Sequence, residues 1–363
     1  MISIHKNIWK RITSWTHYHR TTTVLMVSVG VLLGASMVAG VLLYQSPKPI
    51  ANTKTAVKKA PTLAPVVYYS PLTGEKVPDM ASTQQAVTGI MIENSPDARP
   101  QSGIKSAGIV YEAIAEGGIT RFLTLFQQQK PQLIGPVRSV RLYYVDWVAP
   151  FQASIAHVGG SKFALDEVRN GSYRDIDQFF NSGSYWRATD RYAPHNVYTS
   201  FERLDALNTK KGYTTSTFTP WQRKDGAPSK APTATKIDVT ISGPLYNSHY
   251  QYDATTNTYL RSEGGAAHND REAGQIAPST VIVMDTVMTL VFEDGYREQI
   301  TTTGSGRARI FQDGIVTEGT WSKKDRGSQI LFTDSTGKEI PLDRGQTWIT
   351  AVPANQGGKV TWQ

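Results

Sequence analysis

The clearest structural pattern in the sequence is GIVYEAIAEGGITRFLTLFQ, residues 108–127. Two runs rich in β-branched and aromatic residues flank a Gly-Gly pair, a pattern that predicts two antiparallel strands joined by a tight turn. Pairing across a two-residue turn places Arg121 opposite Ile114. The diagonal neighbours are then Glu112 and Glu116, so we expect one cation between two carboxylates on one face of the sheet.

After the hairpin the chain continues with VRSVRLYYVDWV, residues 137–148, which we interpret as a helix. Arg138 and Arg141 lie three residues apart at its start and would share a helix face. The helix dipole disfavours cations at that end, so an acidic neighbour or an anionic ligand is expected to compensate them. If the compensation is internal, the partner is one of three carboxylates: Glu112, Glu116 or Asp146.

A short strand predicted at 153–158 precedes Gly-Gly-Ser and a second predicted helix. His157 ends this strand beside glycines whose backbone N–H groups could approach a ligand. Two interpretations remain open for His157: a ligand-site residue, or a core histidine that is satisfied inside the fold. Ser161 could serve as a nucleophile with a histidine base, but that role needs a geometry that spacing alone does not define.

A third polar group lies in YWRATDRYAPHN, residues 185–196, where signals for helix or strand are weak. Loops on a rigid scaffold commonly carry binding groups. The candidate ligand-binding residues of the whole chain are Glu112, Glu116, Arg121, Arg138, Arg141, His157, Ser161, Arg187, Arg191, His195 and Asn196. The motifs of α/β-hydrolases, P-loop proteins and zinc proteases are missing, so we predict no metal site and no cofactor, and the catalytic residues stay unknown.

The second half of the sequence has a different character. A Pro-, Ala- and Lys-rich run at 223–235 predicts a linker between two domains. Beyond it, short apolar runs alternate with turns, a pattern typical of an antiparallel β domain. The strands predicted there are 236–241, 249–252, 259–261, 280–284, 288–292, 307–311, 319–321, 330–332 and 346–352. We therefore predict an α+β chain, with a mixed α/β domain at 66–222 and a mainly antiparallel β domain at 236–363.

Charge and cysteine content exclude several classes of function. The formal net charge is +8, but residues 1–65 hold eight Lys and Arg and no Asp or Glu. The rest of the sequence balances 30 basic against 30 acidic residues, so no global nucleic-acid-binding footprint is present. The sequence has no cysteine, which excludes disulfides, thiolate metal sites, a catalytic cysteine and a lipidated cysteine.

Residues 24–44, VLMVSVGVLLGASMVAGVLLY, carry no charge over 21 positions. A helix of this length spans about 30 Å, the thickness of a bilayer core. Basic residues precede it, and the positive-inside rule then predicts a cytoplasmic tail at 1–23 and an extracytoplasmic remainder. The run at 45–65 predicts a disordered linker. The alternative, a cleaved signal peptide, normally has a shorter apolar region and a small-residue cleavage site.

Several motifs in order resemble those of the YerB-like family of bacterial envelope lipoproteins, a domain of unknown function. The first half carries ARPQSGIKSAGIVYEAIAEGGITRFLTLF, IGPVRSVRLYYVDW, HVGGS and RYAPHNVYTS, and the second half carries YDATTNTYLRSEGG, GRARIFQDGIVTEGTWSK and LDRGQTWITAVPA. The resemblance covers nearly all of 68–355 and implies a two-domain envelope protein without an assigned catalytic role. Members of the family are typically anchored through a lipidated cysteine, which the helix at 24–44 would replace here.

Three functions compete at this point. The leading hypothesis is a non-catalytic, membrane-anchored envelope protein that binds an anionic ligand or protein through its Arg/His cluster. The second is an envelope hydrolase or transferase that uses His157 or His195 as acid or base, with Ser161, Glu112 or Glu116 as partner. The third is a scaffold or interaction module whose charges form buried ion pairs. The membrane is an expected partner in each case, and nucleic acid is not.

Overall fold

The predicted hairpin forms, from strands Ile109–Glu116 and Ile119–Phe126. A β-bulge close to the turn shifts the register by one residue. Arg121 therefore lies opposite Ala113, and the predicted pairing with Ile114 is wrong. A tight turn can be read from its glycines, whereas an extra residue in one strand leaves no comparable mark in the sequence.

The bulge also separates the two carboxylates of the hairpin. Thr120 Oγ1 donates to Glu112 Oε1 at 3.4 Å, and neighbouring residues along a strand point to opposite faces. Glu112 therefore faces away from Arg121. Arg121 Nη2 instead donates to Glu116 Oε1 at 2.9 Å. The predicted placement of one cation between two carboxylates is thus right for Glu116 and wrong for Glu112.

The structure, a computed structural model, describes residues 66–363, and that part of the chain holds four α-helices and 25 strands. The helices are α1 (Met80–Thr83), α2 (Leu142–Val148), α3 (Lys162–Asn170) and α4 (Phe201–Lys210). Short 3-10 turns lie at Pro96–Ala98, Ile104–Ser106, Ala149–Phe151, Ser182–Ser184 and Ala354–Gln356.

The strands are numbered along the chain. The first half holds β1 (Tyr68–Tyr69), β2 (Lys76–Val77), β3 (Thr88–Glu93), β4 (Ile109–Glu116), β5 (Ile119–Phe126), β6 (Ser154–Ala156), β7 (Arg174–Asp175), β8 (Trp186–Arg187), β9 (Val197–Tyr198) and β10 (Arg223–Lys224). Next come β11 (Lys236–Thr240), β12 (Ser248–Asp253), β13 (Thr258–Glu263), β14 (Ala266–Ala267), β15 (Asn269–Asp270) and β16 (Gly274–Gln275). The last are β17 (Thr280–Thr286), β18 (Met288–Phe292), β19 (Tyr296–Ile300), β20 (Gly304–Gln312), β21 (Ile315–Lys323), β22 (Leu331–Thr333), β23 (Leu342–Asp343), β24 (Thr347–Pro353) and β25 (Lys359–Trp362).

One mixed ten-stranded sheet forms the centre, in the order β22-β21-β20-β17-β24-β4-β5-β3-β6-β7. Its halves meet where β24 pairs in parallel with β4, from Thr347 opposite Ile109 to Thr350 opposite Glu112. Both sequence halves therefore contribute strands to a common sheet, with a shared apolar core. The position of a domain boundary at 223–235 stays a prediction, and β10, at the start of that run, pairs with β23.

The second half is rich in antiparallel strands, as predicted. A five-stranded antiparallel sheet has the order β14-β13-β12-β11-β25, and β18 and β19 form a separate hairpin. All nine strands predicted beyond residue 235 overlap observed strands. The four helices all lie in the first half, which also contains strands. Within residues 66–363 the strands greatly outnumber the helices, and the fold is a strand-rich α+β fold.

The helix predicted after the hairpin is shorter than expected, because α2 begins only at Leu142. The residues before it are extended, since Val137 and Val140 form backbone bridges to β3 and to the loop after β6. Arg141 directly precedes the helix with φ −124° and ψ 155°. Arg138 lies further back in the extended segment. The prediction that both arginines share a helix face is therefore wrong.

None of the helices within 66–363 is long and apolar enough to cross a membrane. The predicted tail at 1–23, membrane span at 24–44 and spacer at 45–65 lie outside the described residues.

Candidate ligand-binding cleft

A cleft of about 650 Å³ opens at the end of β3. Three segments form it: the loop after β3, the loop between β8 and β9, and the turn between β15 and β16. Four of its side chains carry basic groups and two carry carboxylates. The full lining is Asp97, Arg99, Pro100, Asp190, Arg191, Tyr192, Ala193, His195 and Arg271.

The loop between β8 and β9 is held in shape by Asn196. Its Nδ2 donates to the carbonyl oxygens of Ala188 at 3.0 Å and Arg191 at 3.3 Å. Its Oδ1 accepts a hydrogen bond from Arg187 Nη1 at 2.7 Å. Asn196 and Arg187, both predicted as ligand-binding residues, thus brace the loop that carries Arg191 and His195 to the cleft.

Arg191 is fixed by neutral acceptors. Nη1 donates to the backbone oxygen of Asp97 at 2.7 Å, and Nη2 donates to that of Pro100 at 2.5 Å. No carboxylate oxygen of residues 66–363 lies within 4.0 Å of its guanidinium nitrogens. The side chain is therefore oriented while its charge is left without a carboxylate partner.

His195 links the cleft to a buried carboxylate. Its Nδ1 lies 3.0 Å from Glu93 Oε1 and 3.1 Å from Ser95 Oγ. Nε2 is 4.0 Å from Asp97 Oδ2, beyond hydrogen-bond distance. Arg138 Nε lies 3.5 Å from the same Glu93 Oε1, on the carboxylate that orients the histidine.

The two remaining arginines of the cleft differ in how many hydrogen bonds hold them. Arg99 donates through Nε and Nη2 to Asn94 and through Nη1 to the Leu245 oxygen, at 2.9–3.0 Å. Arg271 Nη2 donates to Asp190 Oδ2 at 2.7 Å, and both side chains are exposed. Arg99 is thus a fixed part of the wall, and the Arg271–Asp190 pair can rearrange.

A second polar cluster, separate from the cleft, joins Arg121, Arg141 and Glu116. The two guanidinium groups donate to the two carboxylate oxygens, at 2.9 and 2.5 Å. Burial raises the pKa of Glu116, but the two arginine charges outweigh it and hold the pKa at about 2. Burial also lowers the pKa of Arg121, with a further contribution from Arg141.

His157 and Ser161 do not reach the cleft. His157 is fully buried, with Nδ1 2.8 Å from the Gly159 oxygen and Nε2 3.1 Å from Asp175 Oδ1. Ser161 Oγ is buried, does not cap α3 and has no hydrogen-bond partner among residues 66–363. The structure therefore offers no His157–Ser161 hydrogen bond of the kind an activated nucleophile needs.

Glu112 lies in a fully buried network between the sequence halves. Both of its oxygens accept from Arg261 Nη2, at 3.0 and 2.9 Å, and Oε2 also accepts from Trp348 Nε1 at 2.9 Å. The Arg261 guanidinium lies 4.4 Å from the centroid of the Trp348 ring, and Glu263 provides a second carboxylate. Burial lowers the pKa of His268 far below its usual range, so this neighbour of Arg261 is neutral.

Comparison with known proteins finds one matching family region in each half of the sequence. Residues 72–214 match the family described as "Protein of unknown function (DUF3048) N-terminal domain", and 237–349 match its C-terminal domain. Over 289 residues the chain is 34% identical to a Bacillus subtilis (strain 168) protein named "Putative lipoprotein YerB", covering 78% of this chain and 86% of that one. The chain belongs to the YerB-like family. The crystal structure of the YerB protein from Bacillus subtilis matches with a TM-score of 0.73 and 31% identity, over 81% of this chain and 99% of that chain.

Both YerB-like regions contribute to the cleft. The N-terminal region supplies Arg191, His195 and the loop after β3, and the C-terminal region supplies Arg271. Glu93 was missed in the sequence because it ends a strand as a single carboxylate, 102 positions from His195. Arg271 was missed because it lies in a polar turn of the second half. The available signal for Glu93 was a charged residue at the end of an otherwise apolar strand, TGIMIE.

Proposed function

We propose that this YerB-like protein is an extracytoplasmic envelope protein that binds an anionic group, a phosphate or a carboxylate, in the cleft around Arg191. The anion would lie among Arg191, Arg271 and His195, with Arg191 as the principal cation. Guanidinium groups suit this role because their planar N–H donors form paired, charge-assisted hydrogen bonds with oxyanions.

The main support for the proposal is that Arg191 is hydrogen-bonded to backbone oxygens and not to a carboxylate. Backbone carbonyls hold its guanidinium in place, at 2.7 and 2.5 Å, without neutralising it. A cation that is already oriented loses little conformational entropy when a ligand binds. The cleft thus supplies a preorganised positive charge, in a fold whose basic and acidic residues otherwise balance.

Arg271 would act as a second, adaptable cation. Its ion pair with Asp190 is exposed, and exposed pairs of this kind contribute only about 0.2–1 kcal/mol. A phosphate or carboxylate that also contacts Arg191 can therefore replace Asp190 on Arg271. Asp97, whose side chain is 83% exposed, is free to turn toward solvent.

Membrane attachment is part of the proposal. The apolar run at 24–44 would anchor the protein with its N-terminus in the cytoplasm, and 45–65 would hold the folded part away from the bilayer. The name of the Bacillus relative, a lipoprotein, supports association with the membrane. Because the sequence has no cysteine, the apolar run would do the work of a lipid anchor.

The candidate residues outside the cleft receive a structural role in this proposal. The support is that their charges meet inside the fold: Arg121 and Arg141 on Glu116, Glu112 on Arg261, and His157 on Asp175. Residues of this kind set the geometry of the hairpin and the core without contacting a ligand.

Isothermal titration calorimetry of the full-length protein in detergent tests the binding proposal. Inorganic phosphate and acetate serve as probes. Arg191→Ala is expected to weaken binding about tenfold or more, since a charge-assisted hydrogen bond contributes about 1.5–3 kcal/mol. The matched control is Arg307→Ala, which removes an exposed arginine paired with Glu318 outside the cleft. Unchanged affinity in a folded Arg191→Ala variant would overturn the proposal.

A further inference from the structure

We propose that the cleft is also catalytic, and that His195, oriented by Glu93, acts as the general base in hydrolysis of a phosphodiester held there. This inference rests on the proposed function, because the substrate's phosphate is the anion that Arg191 would bind. It differs from the predicted enzyme sites, in which the carboxylate partner was Glu112 or Glu116.

The first support is the geometry of the Glu93–His195 pair. Glu93 ends β3 with its side chain 5% exposed, and its Oε1 lies 3.0 Å from His195 Nδ1. A carboxylate on Nδ1 favours the tautomer with its hydrogen there and leaves the lone pair on Nε2. Nε2 has no acceptor or donor within hydrogen-bond distance among residues 66–363, and His195 lines the cleft. This nitrogen is therefore available to take a proton from a molecule in the cleft.

The second support is that Glu93 is itself held in place. Ser95 Oγ donates to Glu93 Oε1 at 3.2 Å, and Arg138 Nε lies 3.5 Å from the same oxygen. The carboxylate can thus stabilise the imidazolium that forms when Nε2 takes a proton. In this arrangement Glu93 and Arg138 are positioning residues, and His195 is the catalytic residue.

The charges of the cleft point to a phosphodiester as the substrate class. A diester carries one negative charge, and a second develops on the phosphoryl oxygens as the attacking water gives up a proton to the base. Arg191 and Arg271 supply two positive charges in the same cleft. Groups that bind the transition state more strongly than the substrate are those that accelerate the reaction.

The nucleophile in this step is water. Ser95 Oγ lies 3.1 Å from Nδ1, on the side of the imidazole that faces Glu93, so it is not placed to lose a proton to Nε2. The water oxygen forms a bond to phosphorus while one of its protons moves to His195 Nε2. The phosphorus–oxygen bond to one alcohol then breaks, its electron pair stays on the leaving oxygen, and that oxygen takes a proton from solvent while Nε2 releases its proton to solvent. The products are a phosphomonoester and an alcohol, with His195 neutral again.

Other histidines of the described chain do not offer this arrangement. His157 and His268 are buried, with both ring nitrogens engaged inside the fold. His249 pairs with Asp238 at 2.7 Å on the surface of the five-stranded sheet, and it does not line the cleft. His249 is therefore the matched control: a histidine on a carboxylate without the arginines.

The test is hydrolysis of bis(p-nitrophenyl) phosphate by the full-length protein, with phosphate binding measured in parallel by calorimetry. The wild type is expected to turn the diester over. His195→Gln is expected to lower kcat about 100-fold or more, the usual contribution of a general base. Glu93→Gln, which keeps the shape of the side chain, is expected to lower kcat while KM stays within about twofold. His249→Gln is expected to match the wild type.

The outcomes separate this inference from the binding proposal. Phosphate binding without diester turnover by the wild type would overturn the catalytic inference and leave the anion site standing. Turnover that persists in a folded His195→Gln variant would also overturn it, since a contaminant or another residue would then be responsible. Absence of phosphate binding by the wild type would overturn both the binding proposal and the catalytic inference. If His195→Gln fails to fold, Glu93→Gln decides the question. A reduced kcat with unchanged KM in Glu93→Gln supports the assignment, and an unchanged kcat contradicts it.

Discussion

The buried Arg261 network and the open Arg191 cleft are built from the same residue types and differ in how their charges are paired. Arg261 is fully buried, contacts Glu112 and Glu263, and packs on Trp348. Within residues 66–363, Arg191 donates hydrogen bonds only to backbone oxygens, and it borders the solvent-filled cleft. A buried charge must be compensated inside the fold, whereas a charge at a cleft can remain available to a ligand. Exposure and pairing, more than residue type, separate the buried structural charges from those of the proposed ligand site.

Removal of the buried cation is expected to have the largest effect. Arg261→Met is expected to lower the free energy of unfolding by about 3–5 kcal/mol, because it leaves the Glu112 carboxylate buried without a counter-charge. Urea denaturation followed by circular dichroism measures the change. Arg307→Met, which removes an exposed arginine, is the control and is expected to change stability by less than about 1 kcal/mol. Equal effects of the two substitutions would contradict the structural role of Arg261.

The cluster of Glu116, Arg121 and Arg141 is paired internally, like Arg261, but its carboxylate is partly exposed to solvent. The pKa of Glu116 is held at about 2, below its usual 4.5, so this carboxylate stabilises the fold above pH 4.5. That stabilisation is lost as the pH falls from 4.5 through 2, where the folded state also protonates. Since the side chain is 37% exposed, solvent screening reduces the effect, and we expect Glu116→Gln to cost about 2 kcal/mol at pH 7.

Urea denaturation at pH 7, 4 and 3 checks this expectation. The difference between the wild type and Glu116→Gln should shrink steadily as the pH falls. Glu318→Gln, which removes an exposed carboxylate, should show little difference at any of these pH values. A difference that stays constant with pH would mean that packing, not charge, accounts for the role of Glu116.

A smaller effect of opposite sign is expected at Asp343, on β23. Burial and nearby Asp313 raise its pKa to about 6, although Lys224 opposes the shift. A raised pKa in the folded state favours the protonated acid, so its stabilising contribution is present below pH 3.8 and is lost as the pH rises through 6. Asp343→Asn should therefore gain about 1–2 kcal/mol relative to the wild type between pH 4 and 7.

Thermal unfolding at the two pH values measures this change. Asp225→Asn is a suitable control, because Asp225 is 87% exposed and pairs with Arg344 at the surface. A relative loss of stability by Asp343→Asn on raising the pH would show that the ion pair with Lys224 dominates at this position.

Local patterns in the sequence predict much of the fold and little of the site. The glycine turn of the hairpin and the short strands of the second half follow from residue spacing, since both are set by nearest neighbours. The bulge that turns Glu112 away from Arg121 is a one-residue register shift, which residue spacing does not show. Arg138 and Arg141 were expected together, but extended backbone before α2 sends them to different carboxylates, Glu93 and Glu116.

The candidate site could be predicted only in part, because local sequence patterns do not show which distant segments meet. Arg191 and His195 are close in sequence and share a loop, so composition marks them together. Their partners come from distant segments: Glu93 from β3 and Arg271 from the second half. A single sequence gives no register between such segments, because the pairing depends on how the ten-stranded sheet assembles.

The most direct test of the cleft's role is a crystal structure of residues 66–363 with a bound phosphonate monoester, an anionic analogue of a phosphodiester. The expected result is electron density for the phosphonate within hydrogen-bond distance of Arg191, with Asp190 displaced from Arg271 and His195 Nε2 facing the phosphorus. Density bound elsewhere, or an empty cleft at a concentration that saturates binding in solution, would contradict the assignment of this cleft as the anion site.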